Sequence, residues 1–160
     1  MVTAMQQQRD KLTARYERIA TQLEGLFEKA TDPISCMGSA AALLHHKMPH
    51  FFWTGFYRLV DGDLIVGPYQ GPLACMLLER DTGVCWAAID RGESILVPDV
   101  HAFPGHIACD SRSSSEVVVL LRDRGDVIRG VLDVDSDKAA AFSEVDVDGL
   151  ERIAAMIFGA

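Results

Sequence analysis

Residues 116–136 read EVVVLLRDRGDVIRGVLDVDS: an apolar run, a polar turn over residues 122–126, and a second apolar run. Two short β-branched-rich runs separated by an Arg-Gly-Asp turn predict a β-hairpin. The second run ends in Asp133 and Asp135, which are two residues apart and therefore project from the same face of a strand. On a strand end in water such a pair means little. If the pair lines a pocket, like-charge repulsion and burial raise one pKa and make that group a proton donor.

Outward from this hairpin the chain alternates between the two periods of regular structure. Upstream, FFWTGFYRLV and LIVGPYQ flank Asp61-Gly62-Asp63, the pattern of another hairpin. Here Trp53, Gly55 and Tyr57 share one face and Phe52, Thr54 and Phe56 the other, so one set meets the core and the other a cavity or solvent. LACMLL, carrying Cys75, is expected to be a third short strand. Thr82 is expected to cap a short helix over residues 83–91 that Gly92 closes, and residues 94–100 to form an edge strand because they contain Pro98. Two helices precede the strands. In residues 5–29, Leu12, Tyr16, Ile19, Leu23 and Leu26 form a narrow apolar seam that docks on the domain or pairs with a second copy, giving a possible homodimer. Asp32-Pro33 then starts a helix to about residue 47. At the far end, Ser143 opens a terminal helix whose stripe is Val147, Leu150, Ile153, Ala154 and Ile157. Antiparallel strands between terminal helices predict one α+β domain over residues 1–160, with an N-terminal helix in residues 1–30 and the sheet core with its terminal helix in residues 31–160.

Composition narrows the function. The 160 residues are 49% hydrophobic and 24% charged, as in ordinary globular chains, and carry net charge −8 with no basic cluster. Nucleic acid and anionic membrane surfaces are therefore poor partners. No apolar run approaches the roughly 18 residues needed to span a bilayer, and the first residues lack a signal-peptide core, so a cytoplasmic location is expected. In a reducing compartment the 4 cysteines read as metal-binding, catalytic or buried.

The chemistry concentrates in HAFPGHIACDSRSSSE, residues 101–116, a stretch read as a loop over the sheet. It sets Cys109 among His101, His106 and Asp110, followed by small hydrogen-bonding residues that can stabilise a thiolate. No paired C-x2-C ligands point to structural zinc, and no nucleophile elbow or glycine-rich phosphate loop is present, so no metal or bound cofactor is expected. What remains is thiol redox chemistry, in which one cysteine attacks and a second forms a disulfide with it. The histidines are expected to fix the loop.

Taken together, WTGFY (53–57), GPYQGPLAC (67–75), GVC (83–85), DVHAFPGHIACDSRSSSE (99–116) and GVLDVDS (130–136) resemble, in order and spacing, the GAF-domain free methionine-(R)-sulfoxide reductases. The resemblance implies a GAF-like sheet with terminal helices on one face and ligand-enclosing loops on the other. It also implies reduction of free methionine-(R)-sulfoxide through a sulfenic acid and a disulfide, recycled by an external thioredoxin-like dithiol. By motif position Cys109 is the nucleophile, Cys75 the resolving cysteine and Cys85 an auxiliary or second resolving thiol. Trp53 walls the methyl end of the ligand, and Glu116, Asp133 and Asp135 are the acidic pocket residues. Trp86 stands where the family usually has a small residue after GVC, and Cys36 has no counterpart. The competing reading is a non-catalytic GAF sensor that binds a small molecule.

Overall fold

The computed structural model describes residues 2–106 and 109–159; residues 107 and 108, within the HIACD motif, lie outside the described residues. Four α-helices, a 3₁₀ turn and six strands follow in the order α1 (Ala4–Phe27), α2 (Pro33–Lys47), β1 (Trp53–Val60), β2 (Asp63–Gln70), β3 (Leu77–Leu78), α3 (Gly83–Arg91), β4 (Ile95–Val97), the 3₁₀ turn Val100–Ala102, β5 (Ser115–Arg122), β6 (Ile128–Ser136) and α4 (Glu144–Met156). The strands form one antiparallel sheet in the order β3-β2-β1-β6-β5-β4. Both hairpins read from the sequence are present as β1-β2 and β5-β6, and their pairing with each other makes the centre of the sheet.

The two faces of the sheet bury different things. Phe56, Val117, Val119, Leu121, Leu132 and Val134 point toward α1, α2 and α4, where they meet Ile19, Leu23, Leu44, Leu150 and Ile153 in the main core. Trp53, Tyr57, Val118 and Val131 point the other way, toward α3 and the loops, in a second and smaller apolar cluster. This settles which alternating set of β1 faces which layer.

Helix α1 docks within the chain: Tyr16, Ile19, Ala20 and Leu23 are buried, while Leu26, assigned to the seam, is 41% exposed. The Tyr16 ring lies where a Cβ on Gly149 of α4 would stand, so glycine there permits the close approach of the two helices. The Tyr16 hydroxyl donates to Asp146 at 2.8 Å, and His50 Nε2 lies 3.1 Å from the same oxygen. The other Asp146 oxygen accepts the Ser143 backbone N–H at 2.8 Å and the Ser143 hydroxyl at 3.1 Å, which fastens the first turn of α4. Burial would raise the Asp146 carboxyl, but His50, the Ser143 backbone and Tyr16 together hold it below the usual carboxylate range.

Four local expectations are corrected. The third strand comprises only Leu77 and Leu78, and Cys75 lies in the loop before it. The run LACMLL looked apolar enough for a buried strand, yet Leu73 is 87% and Met76 71% exposed, and only the last two residues find ladder partners on β2. Thr82 occupies the N-cap position of α3 but makes no side-chain cap; its hydroxyl donates to the Glu79 carbonyl at 2.6 Å, and Gly92 closes the helix in the left-handed region at φ 67°. The strand with Pro98 is an edge strand but is short, ending at Val97 before the proline. Finally, the polar end of the 101–116 stretch is not all loop. Ser113, Ser115 and Glu116 are buried and β5 begins at Ser115, whose hydroxyl donates to the Lys138 carbonyl at 2.6 Å and accepts the Ala141 N–H at 3.3 Å. Satisfied hydrogen bonds are what let these polar groups enter the interior.

Candidate active site

Strand register brings the acids together. Across the sheet Asp135 of β6 stands directly opposite Trp53 of β1 on one side and Glu116 of β5 on the other, and Asp133 stands opposite Gly55 and Val118. These residues face the side away from the terminal helices, at the end of the sheet where β1 begins, β5 begins and β6 ends. Of these, Trp53, Glu116, Asp133 and Asp135 line a cavity of about 250 Å³, together with Tyr57, Cys75, Cys85, His106 and Cys109. All seven residues assigned to the site from the sequence therefore converge on one cavity, and the structure adds Tyr57, His106 and Ser113.

The apolar wall is rigid. Trp53 stacks between Tyr57 and Tyr69 with ring centroids 5.8 and 5.3 Å away, and its indole N–H donates to the Pro72 carbonyl at 3.1 Å. A Cβ at Gly55 would collide with the Trp53 ring and with Tyr69, so the small residue between the aromatics is what allows the stack. Tyr57 reaches across to the thiol loop, its hydroxyl donating to the Cys75 carbonyl at 3.1 Å. Tyr57 was legible as a neighbour of Trp53 on the same strand face, but it carried no chemical signature of its own.

The thiols divide into a pair and two singles. Cys75 and Cys109 form a disulfide with their Cα atoms 5.6 Å apart, whereas Cys36 and Cys85 are free and buried. The disulfide lies at the mouth of the cavity, with Cys109 exposed and Cys75 half-buried. Cys85 sits in the first turn of α3, deeper in the cavity, where burial first and then the negative charge of Asp133, Glu116 and Asp135 push its thiol well up. Trp86 does not crowd it: the ring lies outside the cavity lining, donates to the Leu78 carbonyl at 3.1 Å and carries the Arg80 guanidinium 4.0 Å from its centroid. Cys36 touches the Ala30 carbonyl at 3.6 Å in the helical layer, away from the cavity.

Two buried carboxyls, Glu116 and Asp133, and the half-buried Asp135 share one cavity and cannot all be charged. Burial raises Glu116 well above the usual carboxylate range, with Asp135 adding repulsion. Burial and the neighbouring Glu116 charge do the same to Asp133, and burial and the Asp133 charge to Asp135, although Ser113 hydrogen-bonds Asp135 and partly offsets it. Glu116 and Asp133 lie within hydrogen-bond reach of each other, which two carboxylates permit only if a proton sits between them. The Cys85 thiol also hydrogen-bonds Asp133, and the Oδ1 atom of Asp133 is left buried without a hydrogen-bond partner among the described residues. His106 Nε2 approaches Glu116 Oε2 at 3.7 Å, and burial lowers its pKa, so it stays a neutral ring at neutral pH. Asp110 behaves oppositely: the Arg112 side chain, by hydrogen bonds at 2.9 and 2.7 Å, holds it ionised with its pKa lowered to about 2, and it braces the loop next to Cys109. The His106 side of that loop is tied to α3 by the Gly83 N–H, which donates to the Gly105 carbonyl at 2.8 Å. The cavity thus holds a disulfide at its mouth, carboxyls raised above their usual range on its floor and an aromatic wall opposite.

Residues 21–157 match the family model of the GAF domain. "GAF domain-containing protein A" of Dictyostelium discoideum is 43% identical over 140 residues, 87% of this chain and 87% of that one. The "Free methionine-R-sulfoxide reductase" of Escherichia coli is 36% identical over 145 residues, 91% of this chain and 87% of that one. The X-ray structure of the free methionine-R-sulfoxide reductase from Neisseria meningitidis in complex with its substrate superposes with a TM-score of 0.86 at 38% identity, covering 91% of this chain and 87% of that one. This chain belongs to the GAF-domain free methionine-R-sulfoxide reductase family.

Proposed function

We propose that this chain reduces free methionine-(R)-sulfoxide to methionine, with Cys109 as nucleophile, Cys75 as resolving thiol and a thioredoxin-like dithiol as the external reductant. The observation that carries this reading is the Cys75–Cys109 disulfide opening onto a cavity floored by raised-pKa carboxyls and walled by Trp53. In the reduced enzyme the Cys109 thiolate attacks the sulfoxide sulfur while a carboxyl of the Glu116, Asp133 and Asp135 cluster donates its proton to the sulfoxide oxygen. The oxygen passes to Cys109 as a sulfenic acid and methionine leaves. The Cys75 thiol then attacks the Cys109 sulfur, water departs and the disulfide forms. An incoming dithiol attacks the disulfide, leaves as a disulfide itself and returns both thiols, so each cycle converts one sulfoxide to one methionine and one water. The partial exposure of the sulfur pair favours this last step, because the attacking thiolate must reach a sulfur from solvent.

The same cluster neutralises the substrate's ammonium group, and Asp133 Oδ1 offers an acceptor with no donor of its own. Trp53 packs against the methyl end. Cys85 acts as auxiliary thiol, close to the acids but behind the disulfide. The need for a dithiol reductant assigns the reaction to the cytoplasm, where thiols are kept reduced. The test is to mix the purified protein with racemic free methionine sulfoxide and a dithiol and follow each epimer by chiral analysis. The R form should disappear and the S form remain, with N-acetyl methionine sulfoxide spared, since acetylation removes the charge that buried carboxylates require. Equal consumption of both epimers, or equal rates on the acetylated compound, would refute the assignment of the cavity; binding without turnover would favour the sensor reading.

A further inference from the structure

The cavity gathers a thiol and three carboxyls around one point. Cys85, Glu116, Asp133 and Asp135 line it with no lysine or arginine beside them, whereas a free amino acid brings one ammonium and one carboxylate. Three of these groups are arranged as ligands: the Cys85 Sγ, a Glu116 oxygen and an Asp133 oxygen lie within 4.8 Å of one another, and all three residues are buried. They come from α3, β5 and β6, three elements that packing holds in place. The Oδ1 atom of Asp133, buried and without a hydrogen-bond partner among the described residues, is an acceptor open to a positively charged ligand at this point. The donor set is chemically selective. One thiolate with two carboxylates suits a borderline-soft ion of the zinc class, and magnesium or calcium would want oxygen alone. Zinc bonds of about 2.0–2.3 Å place ligand atoms roughly 4 Å apart or less, so small side-chain rotations close the set.

We propose that Cys85, Glu116 and Asp133 bind a thiophilic divalent cation of the zinc class, which occupies the floor of the cavity and reversibly excludes the sulfoxide. This rests on the reading of the cavity as the substrate site. Binding transfers the Cys85 thiol proton to solvent and leaves the fourth position to water or to His106, whose Nε2 is 3.7 Å from Glu116. Because Cys85 stays free when Cys75 and Cys109 are joined, the oxidised enzyme keeps all three ligands.

The probe is Co²⁺, which shows a thiolate-to-cobalt charge-transfer band when bound through cysteine, titrated into the disulfide form of the full chain. Wild type and Cys36→Ser should saturate alike, Cys85→Ser should lose the band, and Glu116→Gln should bind roughly 10–100-fold more weakly with the thiol still present. Zn²⁺ should bleach the band by displacement, and free methionine sulfoxide should weaken Co²⁺ binding. Circular dichroism on each variant separates ligand loss from unfolding. A wild-type protein without the band, a band that survives Cys85→Ser in folded protein, or Co²⁺ affinity indifferent to methionine sulfoxide would overturn the proposal. Turnover without the band removes the cation site and leaves the reductase reading standing; a Cys85-dependent band without turnover does the reverse.

Discussion

Replacing Asp135 by Asn should make the ligand-free protein more resistant to alkaline pH while impairing sulfoxide reduction. Asp135 stands directly across β5–β6 from Glu116, and burial together with the Asp133 charge raises its carboxyl well above the usual range. The sign follows from linkage. A group whose folded pKa is raised contributes its stability fully below the unfolded pKa of about 4 and loses it as pH rises through the folded value. Wild type should therefore weaken as pH rises above the unfolded pKa of about 4 toward the raised folded values of the cluster. Asparagine keeps the shape and still accepts the Ser113 hydrogen bond, but it removes one acid from the repulsion. Because Asp135 is half-buried and keeps the Ser113 hydrogen bond, ionising it beside Asp133 costs on the order of 1 kcal/mol, which for a chain of this length corresponds to roughly 2–4 °C in Tm at the higher pH. Urea titrations with the disulfide intact, at about pH 5 and about pH 8, measure the difference directly. If Asp135→Asn is less stable than wild type by the same amount at both values, or if wild type shows no alkaline loss, the buried cluster does not repel as argued. Turnover by the same variant should fall, since one proton source and one ammonium partner are gone.

Two further outcomes test other parts of the molecule. Cys109→Ser should abolish reduction, whereas Cys75→Ser should still release one methionine per chain and then stop, with the sulfenic acid trapped by a dimedone-type reagent; full cycling by Cys109→Ser refutes the division of roles. Asp146→Asn should cost about 1–2 kcal/mol at neutral pH and flatten the acid limb of the stability curve, because a carboxyl held low by His50, Ser143 and Tyr16 gives stability that is present above about pH 4 and lost as pH falls through its folded value; denaturation curves that coincide with wild type at neutral pH would show that the network carries no net stability.

The frame of the fold was legible because its signals are local. Alternation in residues 53–57 and 116–136 specified two hairpins, and the spacing of Tyr16, Ile19 and Leu23 specified the buried face of α1. What failed was the distinction between apolar and buried. LACMLL has the composition of a strand, but a short edge with few ladder partners leaves Leu73 and Met76 in solvent and puts Cys75 in a loop. The serines before β5 failed in the opposite sense, since nothing local reveals that Ser115 will be paired with the carbonyl of Lys138. Of the site, Cys109, Asp133 and Asp135 stood out in the residues themselves and the resemblance added Cys75, Cys85, Trp53 and Glu116, whereas Tyr57 and His106, read as a strand neighbour and a loop residue, join the cavity only through their neighbours in space.

The gathering of the acids was the least legible step, because it depends on register. Asp133 and Asp135 share a face in any strand, yet a slip of one residue in β5 against β6 would turn Glu116 toward α4 and put a charge into the main core. The apolar pattern of Val117, Val119 and Leu121 forbids that slip, since those side chains would lose the helical layer at the same moment. The hydrophobic face of β5 therefore fixes the position of Glu116 as firmly as it fixes the core. It follows that the repulsion among the three carboxyls cannot be relieved by sliding the strands; it is relieved by a proton, by the ammonium of the sulfoxide, or by a divalent cation, and each of these is a ligand of the same floor.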